Sequence, residues 1–342
     1  MVREVNIEEL MDFKVAPTII DVRSPGEFEK GHIPEAVNIP LFTNKERAEV
    51  GTRYVRTSRE EAVSLGYKYV TPKLDWFIEE SKRVAGKTAI AVHCWRGGMR
   101  SKAFAEHLQK NGLEEIYVII GGYKAFRRLV LNYFEQDLFL RVIGGYTGSG
   151  KTCILGIMQE LGEQVIDLEA LAHHKGSVFG GLGEEAQPSA QQFENNLFAN
   201  LKKLDLKRPI WVEDESRMIG HLSIPGALFR QMREQALYFI DIPREKRAQH
   251  LVKEYAVYGD ESLRQAINSI SKRLGGQNVK RAYDFLAENN YLGLALLVLQ
   301  YYDKAYRKGL LTRDQQKVIT ISLQDPDHTK NAKEVLKSVR NL

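Results

Sequence analysis

The sequence predicts an α/β protein in two parts: a parallel-sheet domain, then a second α/β domain ending in a helical stretch. Three observations carry this. Compact β-rich runs alternate with helix-compatible sequence, as expected for parallel strands buried between helices. Two strand-to-helix junctions carry glycine-rich loops, at residues 93–101 and 145–152. A length of 342 residues exceeds the usual single-core range, so two domains are expected, 1–136 and 137–342.

Taken in order, residues 18–22, 88–92 and 116–120 read as buried parallel strands of the first domain. Residues 123–138 have apolar positions at helical spacing and lead into the second domain. There 139–143, 164–167, 209–212 and 237–241 read as strands, and from about 244 to 342 the pattern is almost wholly helical. No internal repeat or low-complexity segment interrupts this order.

Composition narrows the class. Hydrophobic content of 43% and charged content of 27% are those of an ordinary soluble globular protein. The longest apolar stretch, 292–299, is too short to span a bilayer, and no basic-then-apolar leader is recognisable, so no membrane partner is expected. Two cysteines cannot form a disulfide framework, and a reducing cytoplasm is the expected location. The net charge of +5 is uneven: residues 241–342 hold 18 Lys and Arg against 12 Asp and Glu. Lys272, Arg273, Lys280 and Arg281 in this part are candidates to meet a phosphate backbone, with a solvated helical surface as the plain alternative.

The first loop is His93-Cys94-Trp95-Arg96-Gly97-Gly98-Met99-Arg100-Ser101. A thiol between a strand and a helix start faces successive backbone N–H groups and the positive end of the helix dipole, both of which favour the thiolate. Arg96 and Arg100 add positive charge, and Gly97-Gly98 lets the amides converge. Cys94, Arg96 and Arg100 are therefore the expected catalytic residues. A buried structural cysteine is the alternative.

The second loop, Gly145-Tyr146-Thr147-Gly148-Ser149-Gly150-Lys151-Thr152, is a complete phosphate-binding P-loop placed after a strand. Gly145, Gly148, Ser149, Gly150, Lys151 and Thr152 are expected to hold phosphates, with Thr152 also meeting Mg²⁺. The acids of Trp211-Val212-Glu213-Asp214-Glu215-Ser216 end a strand, so Asp214 or a flanking Glu is expected to help hold the metal. Whether the phosphate belongs to a nucleotide or to another diphosphate stays open. Cys153 is expected to pack rather than react. Residues 167–180, with His173-His174-Lys175-Gly176-Ser177, suggest a polar substrate loop; a zinc site competes, but no cysteine or acidic cluster at ligand spacing accompanies the histidines.

Residues 21–28 (Asp21-Val22-Arg23-Ser24-Pro25-Gly26-Glu27-Phe28), 31–40 (Gly31-His32-Ile33-Pro34 onward) and Gly121-Gly122-Tyr123 resemble the rhodanese family over most of 1–136. The resemblance implies a rhodanese-like fold and a chalcogen atom carried on Cys94. One departure matters: five residues separate Cys94 from Arg100, where ordinary sulfur-transferring rhodaneses usually have four. That spacing resembles the related phosphatase loops, which cradle a phosphate-sized oxyanion and would suit a donor such as selenophosphate.

A rhodanese-like domain ahead of a P-loop NTPase-like domain resembles, over nearly the whole chain, the tRNA 2-selenouridine synthases. The match runs through Asp167-Leu168-Glu169, Gln187-Pro188-Ser189, Phe193-Glu194-Asn195 and Glu213-Asp214-Glu215-Ser216. It implies a transferase acting on wobble 2-thiouridine of tRNA. The sulfur is S-geranylated from geranyl diphosphate, and the geranylthio group is then replaced by selenium from selenophosphate. Mg²⁺ at the P-loop and a selenophosphate-producing enzyme as partner are implied with it. Two other readings remain: a phosphatase-like cysteine enzyme with a nucleotide-binding regulatory domain, and a nucleotide-dependent binding module.

Overall fold

A computed structural model of the chain describes residues 2–177, 179–324 and 327–340. Val178, part of the expected substrate loop, lies outside them. The chain forms two compact units, one of residues 1–133 with 189–198, the other of residues 134–188 with 199–342. Residues 189–198, which the sequence reading assigns to the second domain, thus belong to the first unit.

The first unit is a five-stranded parallel sheet in the order Arg3–Val5, Ile116–Ile119, Ile90–His93, Thr18–Asp21, Val37–Asn38. Its central strands are apolar along their length because helices cover both faces: Ile20, Val22, Val92 and Val118 are all buried. The short strands Arg3–Val5 and Val37–Asn38 were not foreseen. Ser24 and Glu27 form a capping box around Pro25, starting the helix Pro25–Glu29. Thr43 and Glu46 do the same for Asn44–Arg56, and Ser58 caps Arg59–Val70. The helices Leu74–Ala85, Met99–Lys110 and Gly122–Tyr133 complete the layers. The last ends five residues before the expected position 138.

Beneath this sheet edge lies a buried charge pair. Arg23 donates to both oxygens of Asp21, from Nε to Oδ1 at 3.0 Å and from Nη2 to Oδ2 at 2.6 Å, and Nη2 also reaches the carbonyl of Gly31. The guanidinium stacks on Tyr123, 3.9 Å from its ring centre. Tyr123 in turn accepts from Asn195, which also donates to the carbonyl of His32. In this way residues 189–198 fasten onto the strand ends.

The second unit has a parallel sheet in the order Val318–Ser322, Leu237–Asp241, Leu140–Gly145, Ile210–Glu213, Gln164–Ile166. Val318–Ser322 corrects the expectation of an almost wholly helical C-terminal part. The chain returns from the helices to pair with Leu237–Asp241 as an edge strand before ending in the helix His328–Arg340. The helices between, among them Arg244–Tyr255, Gly259–Ser269, Gly276–Ala287 and Tyr291–Leu311, share a separate apolar core that includes Leu263, Ile267, Leu286 and Leu294. No helix among the described residues is long and apolar enough to cross a membrane.

Removing the Asp21 carboxylate leaves Arg23 charged, buried and unpaired, which costs about 3–5 kcal/mol. Asp21→Ala should therefore lower the urea midpoint of the first unit far more than Ser58→Ala, whose lost cap costs about 1 kcal/mol. Burial alone would raise the Asp21 carboxyl, but neighbouring His93 and the hydrogen bonds and charge of Arg23 hold its pKa below the ordinary value. The pair's contribution is present above pH 4 and should fade only as pH falls below the ordinary carboxylate range.

Candidate functional site

The cysteine loop springs from the end of the central strand Ile90–His93 and runs into the helix Met99–Lys110. Its curl depends on Gly97, at φ +63°, where a Cβ would lie 2.3 Å from the carbonyl of Ile119. Opposite it, a Cβ on Gly122 would lie 2.2 Å from the Cys94 carbonyl. The amides of Tyr123 and Lys124 bond the carbonyls of Cys94 and Trp95, both at 2.9 Å. The expected closing turn is thus the other wall of the loop. Gly98 has open space around it and is not required sterically.

Cys94 is buried at the bottom of the loop, its Sγ 3.4 Å from the hydroxyl of Ser101. Burial alone would raise the thiol pKa. The Ser101 hydroxyl, the charge of Arg100 and the amides of Ser101 and Arg96 outweigh it, and the thiol is held below its ordinary value. Ser101 is a functional residue that the sequence reading treated only as the helix start. Arg100 is half-buried and 3.5 Å from Glu27; the Arg96 side chain is exposed, and its amide is what addresses the sulfur. Burial pushes the Glu27 carboxyl up, but Arg100, Ser24 and Arg47 bring it below its ordinary value. Glu27 is therefore ionised at neutral pH and has no proton to offer a phosphatase-type leaving group.

The P-loop follows the central strand Leu140–Gly145 of the second unit and opens the helix Lys151–Glu160. Gly148 and Gly150 take φ +79° and +72°, and a Cβ on Gly150 would strike the ring of His328 at 2.4 Å. Lys151 Nζ folds back to the Gly145 carbonyl at 3.4 Å, and the buried Ser149 hydroxyl has no partner among the described residues. The loop lines a cleft of about 810 Å³ with Glu169, Lys175, Glu215, Arg273 and Tyr302 on its walls.

The acids divide in a way the sequence reading did not assign. Thr152 donates to Glu169 at 2.8 Å. Burial, then the neighbouring Glu169, push Glu215 up to about 8 despite Lys151, and burial likewise raises Glu169. Asp214, the expected metal residue, is occupied elsewhere: Arg313 and Tyr306 donate to it, and Arg233 lies 3.6 Å away. Asp214 and Glu215 both line the P-loop cleft, but Arg313 and Tyr306 hold Asp214, whereas Glu215 hydrogen-bonds Glu169. Thr152, Glu169 and Glu215 are all hard oxygen donors, which fits Mg²⁺, an ion held by one or two carboxylates together with substrate phosphates. No cluster of three or more metal-ligating side chains occurs among the described residues, zinc-type sets included.

Tyr306 is the second residue missed. Its hydroxyl accepts from the Gly145 amide at 3.2 Å while donating to Asp214 at 2.9 Å. Arg247, also missed, is buried, bonds the Thr147 carbonyl at 3.0 Å and pairs with Asp303 at 2.8 Å. These partners lie 56 to 161 positions apart, so no local pattern could have announced them. Of the expected substrate loop, Gly176 approaches the acids so closely that a Cβ would lie 2.7 Å from Glu169 and 2.8 Å from Glu215. Lys175 pairs with Glu184 and Glu254, and His173 bonds the Ala186 carbonyl. Cys153 is exposed rather than packed, and its thiol is pushed up by partial burial and by Glu254. Of the basic residues expected to meet phosphate, Arg273 lines the P-loop cleft, while Lys272, Lys280 and Arg281 are exposed.

A cysteine loop at the end of one parallel sheet and a P-loop at the end of a second define a two-domain α/β class with an anion-binding loop in each domain. Comparison with known proteins agrees. Residues 6–129 match the rhodanese-like domain, and residues 139–335 match the tRNA 2-selenouridine synthase AAA domain. A tRNA 2-selenouridine synthase of Nitrosomonas europaea is 32% identical, over 91% of this chain and 94% of its own. One from Nitrosomonas eutropha is 38% identical over 74% of this chain and 67% of its own, and one from Sulfurovum sp. is 35% identical over 84% and 87%. The chain belongs to the tRNA 2-selenouridine synthase family.

Losing the Ser101 hydroxyl removes a hydrogen bond to the charged sulfur, an interaction of about 1.5–3 kcal/mol. In a Cys153→Ser background, Ser101→Ala should move the pH midpoint of Cys94 alkylation by iodoacetamide upward and slow alkylation at pH 7 by roughly tenfold or more. An unmoved midpoint would show that Ser101 does not stabilise the thiolate.

Proposed function

We propose that this chain is a transferase that converts wobble 2-thiouridine of tRNA into 2-selenouridine in two half-reactions. The thiocarbonyl sulfur first displaces diphosphate from geranyl diphosphate at the P-loop. Selenium from selenophosphate, received at the Cys94 loop, then replaces the geranylthio group. The family membership supports the product, since the relatives are named for it. The observation that carries the choice of geranyl diphosphate over a nucleotide is a narrow apolar pocket, about 60 Å³ of free space, that shares a wall with the P-loop cleft. Thr147, Ser177, Leu251, Tyr255 and Tyr302 line both spaces, and beyond them the pocket is walled by Phe179, Leu263, Leu294 and Val298. A nucleoside would set a polar ribose and base against those walls, leaving their polar groups without partners. A hydrocarbon chain gains about 0.8 kcal/mol for each buried CH₂.

The residues then have defined work. In the first half-reaction a C–O bond breaks and negative charge collects on the departing diphosphate. Lys151 and the loop amides, held by Tyr306 and Arg247, neutralise it without reorganising. Thr152, Glu169 and Glu215 would hold Mg²⁺, which supplies further charge neutralisation when bound. The nucleoside loses its N3 proton as the sulfur is alkylated. In the second, alkylation has turned a poor leaving group into one that departs as a thiol after addition at C2. The Cys94 loop meets the selenophosphate oxyanion with its amides and Arg100, and the Cys94 thiolate attacks phosphorus, so that an S–P bond forms, the P–Se bond breaks and selenide leaves to add at C2; water then returns the thiol and phosphate. The reading places the work in the cytoplasm, with a selenophosphate-producing enzyme upstream.

Mass analysis of tRNA nucleosides separates the steps. Cys94→Ala should stop selenium incorporation and leave S-geranylation largely intact, whereas Lys151→Ala should reduce geranylation by about 100-fold or more. A folded Cys94→Ala protein that cannot geranylate would refute this division. Val298→Trp should fill the apolar pocket, so that geranyl diphosphate binds no better than inorganic diphosphate, while inorganic diphosphate binding stays. Equal loss of both ligands would remove the pocket from substrate recognition.

A further inference from the structure

The first unit holds an apolar space that the account above does not use. A cavity of about 600 Å³ lies between the helices Asn44–Arg56 and Arg59–Val70 on one side and Met99–Lys110 on the other. Its walls include Val50, Tyr54, Gly66, Met99, Arg100 and Ala103. Its volume is in the range of small-molecule sites.

The surrounding helices are built in an unusual way for plain packing. Asn44–Arg56 buries none of its residues, although Val50 and Tyr54 form an apolar side to it; Tyr54 stays 59% exposed. Its partner Arg59–Val70 buries only Ala62 and Gly66, the two smallest side chains it has. An amphipathic helix ordinarily buries its apolar stripe against a core. Here Val50 reaches the sheet core while Tyr54 stays largely exposed, and the cavity lies between them. Arg59, Arg100 and Lys110 outweigh Glu106 among the charged lining residues, so an anionic carrier can approach an otherwise apolar opening. Two of the wall residues, Met99 and Arg100, belong to the Cys94 loop itself, and the Arg100 charge acts on the Cys94 thiol.

We propose that this cavity holds the isoprenoid chain of the S-alkylated tRNA nucleoside while its C2–S bond is broken beside Cys94, and that it releases the alkyl thiol afterwards. This rests on the two-step reading above, in which the group leaving at the Cys94 loop is a hydrophobic thiol. The second half-reaction has the same chain to accommodate as the first, and an apolar wall shared with Arg100 places that chain where the thiol departs. The cavity then makes the enzyme selective for long S-alkyl groups over short ones.

The test uses the full chain, selenophosphate, and tRNA carrying either S-geranyl or S-methyl 2-thiouridine. The wild-type enzyme should prefer the S-geranyl tRNA by at least tenfold in kcat/KM. Ala103→Trp, at an exposed wall position, should reduce that preference by roughly tenfold. Geranylthiol should inhibit competitively against the S-geranyl tRNA, and should still do so in Val298→Trp, where the pocket beside the P-loop is filled. Equal turnover of both tRNAs by the wild type overturns the inference and leaves the two-step reading standing. No turnover of S-geranyl tRNA at all defeats that reading, and the inference with it. A raised KM for both tRNAs in Ala103→Trp with an unchanged ratio would assign the cavity to the tRNA bases instead.

Discussion

An amide that is to grip a ligand cannot also fasten its own loop, so an anion site built from backbone needs its shape imposed from outside. Each unit meets this constraint differently. In the first, backbone is pressed on backbone. Gly97 and Gly122 approach so closely that neither tolerates a Cβ, and the turn after Ile116–Ile119 bonds the Cys94 and Trp95 carbonyls. In the second, side chains from the C-terminal helices do the fastening: Tyr306 takes the Gly145 amide, and Arg247 takes the Thr147 carbonyl. The long helix Tyr291–Leu311 supplies both Tyr306 and Asp303, the counter-charge of Arg247. The helical part is thus the frame of the phosphate loop, beyond any role as a basic surface.

Charge is partitioned with the same economy. Three consecutive acids run from the end of the strand Ile210–Glu213, and Asp214 among them pairs with the structural arginines Arg233 and Arg313. Glu215 is left on the side of Thr152 with Glu169, where burial raises both carboxyls. Two acids that hold a proton between them in this cleft repel an incoming diphosphate less than two bare carboxylates would. They remain able to meet a cation through oxygen once one arrives with the phosphates.

Much of this was legible. The strand Leu237–Asp241 coincides with the expected run, and both loops fall at strand-to-helix junctions, because buried parallel strands and phosphate loops leave contiguous signatures. Val318–Ser322 was hidden because an edge strand half open to solvent after a long helical run has no continuous apolar signature. Residues 189–198 carry no local sign that sets them apart from the second domain; their attachment through Asn195 to Tyr123 and His32 depends on partners 72 and 163 positions away. The sequence reading named Asp214 or a flanking Glu, because a run of three acids carries no local sign of which one stands beside Thr152. The partners that separate them, Arg313 and Tyr306 on Asp214 and Glu169 on Glu215, come from far along the chain.

On the proposed two-step reading, one protein binds a hydrocarbon chain twice, once as a diphosphate ester and once as a thioether. Charge neutralisation at the P-loop cannot tell a prenyl diphosphate from a nucleotide, because both present the same phosphates. Nor can the Cys94 loop tell alkyl thioethers apart, since its amides and Arg100 address only the oxyanion and the sulfur. Discrimination has to come from apolar surface placed next to each loop. Thr147 lies in both the P-loop and the apolar pocket, and Arg100 lies in both the cysteine loop and the cavity of the first unit. Each loop therefore contributes a wall to the apolar space beside it: Thr147 with four further residues at the P-loop, and Met99 with Arg100 at the cysteine loop.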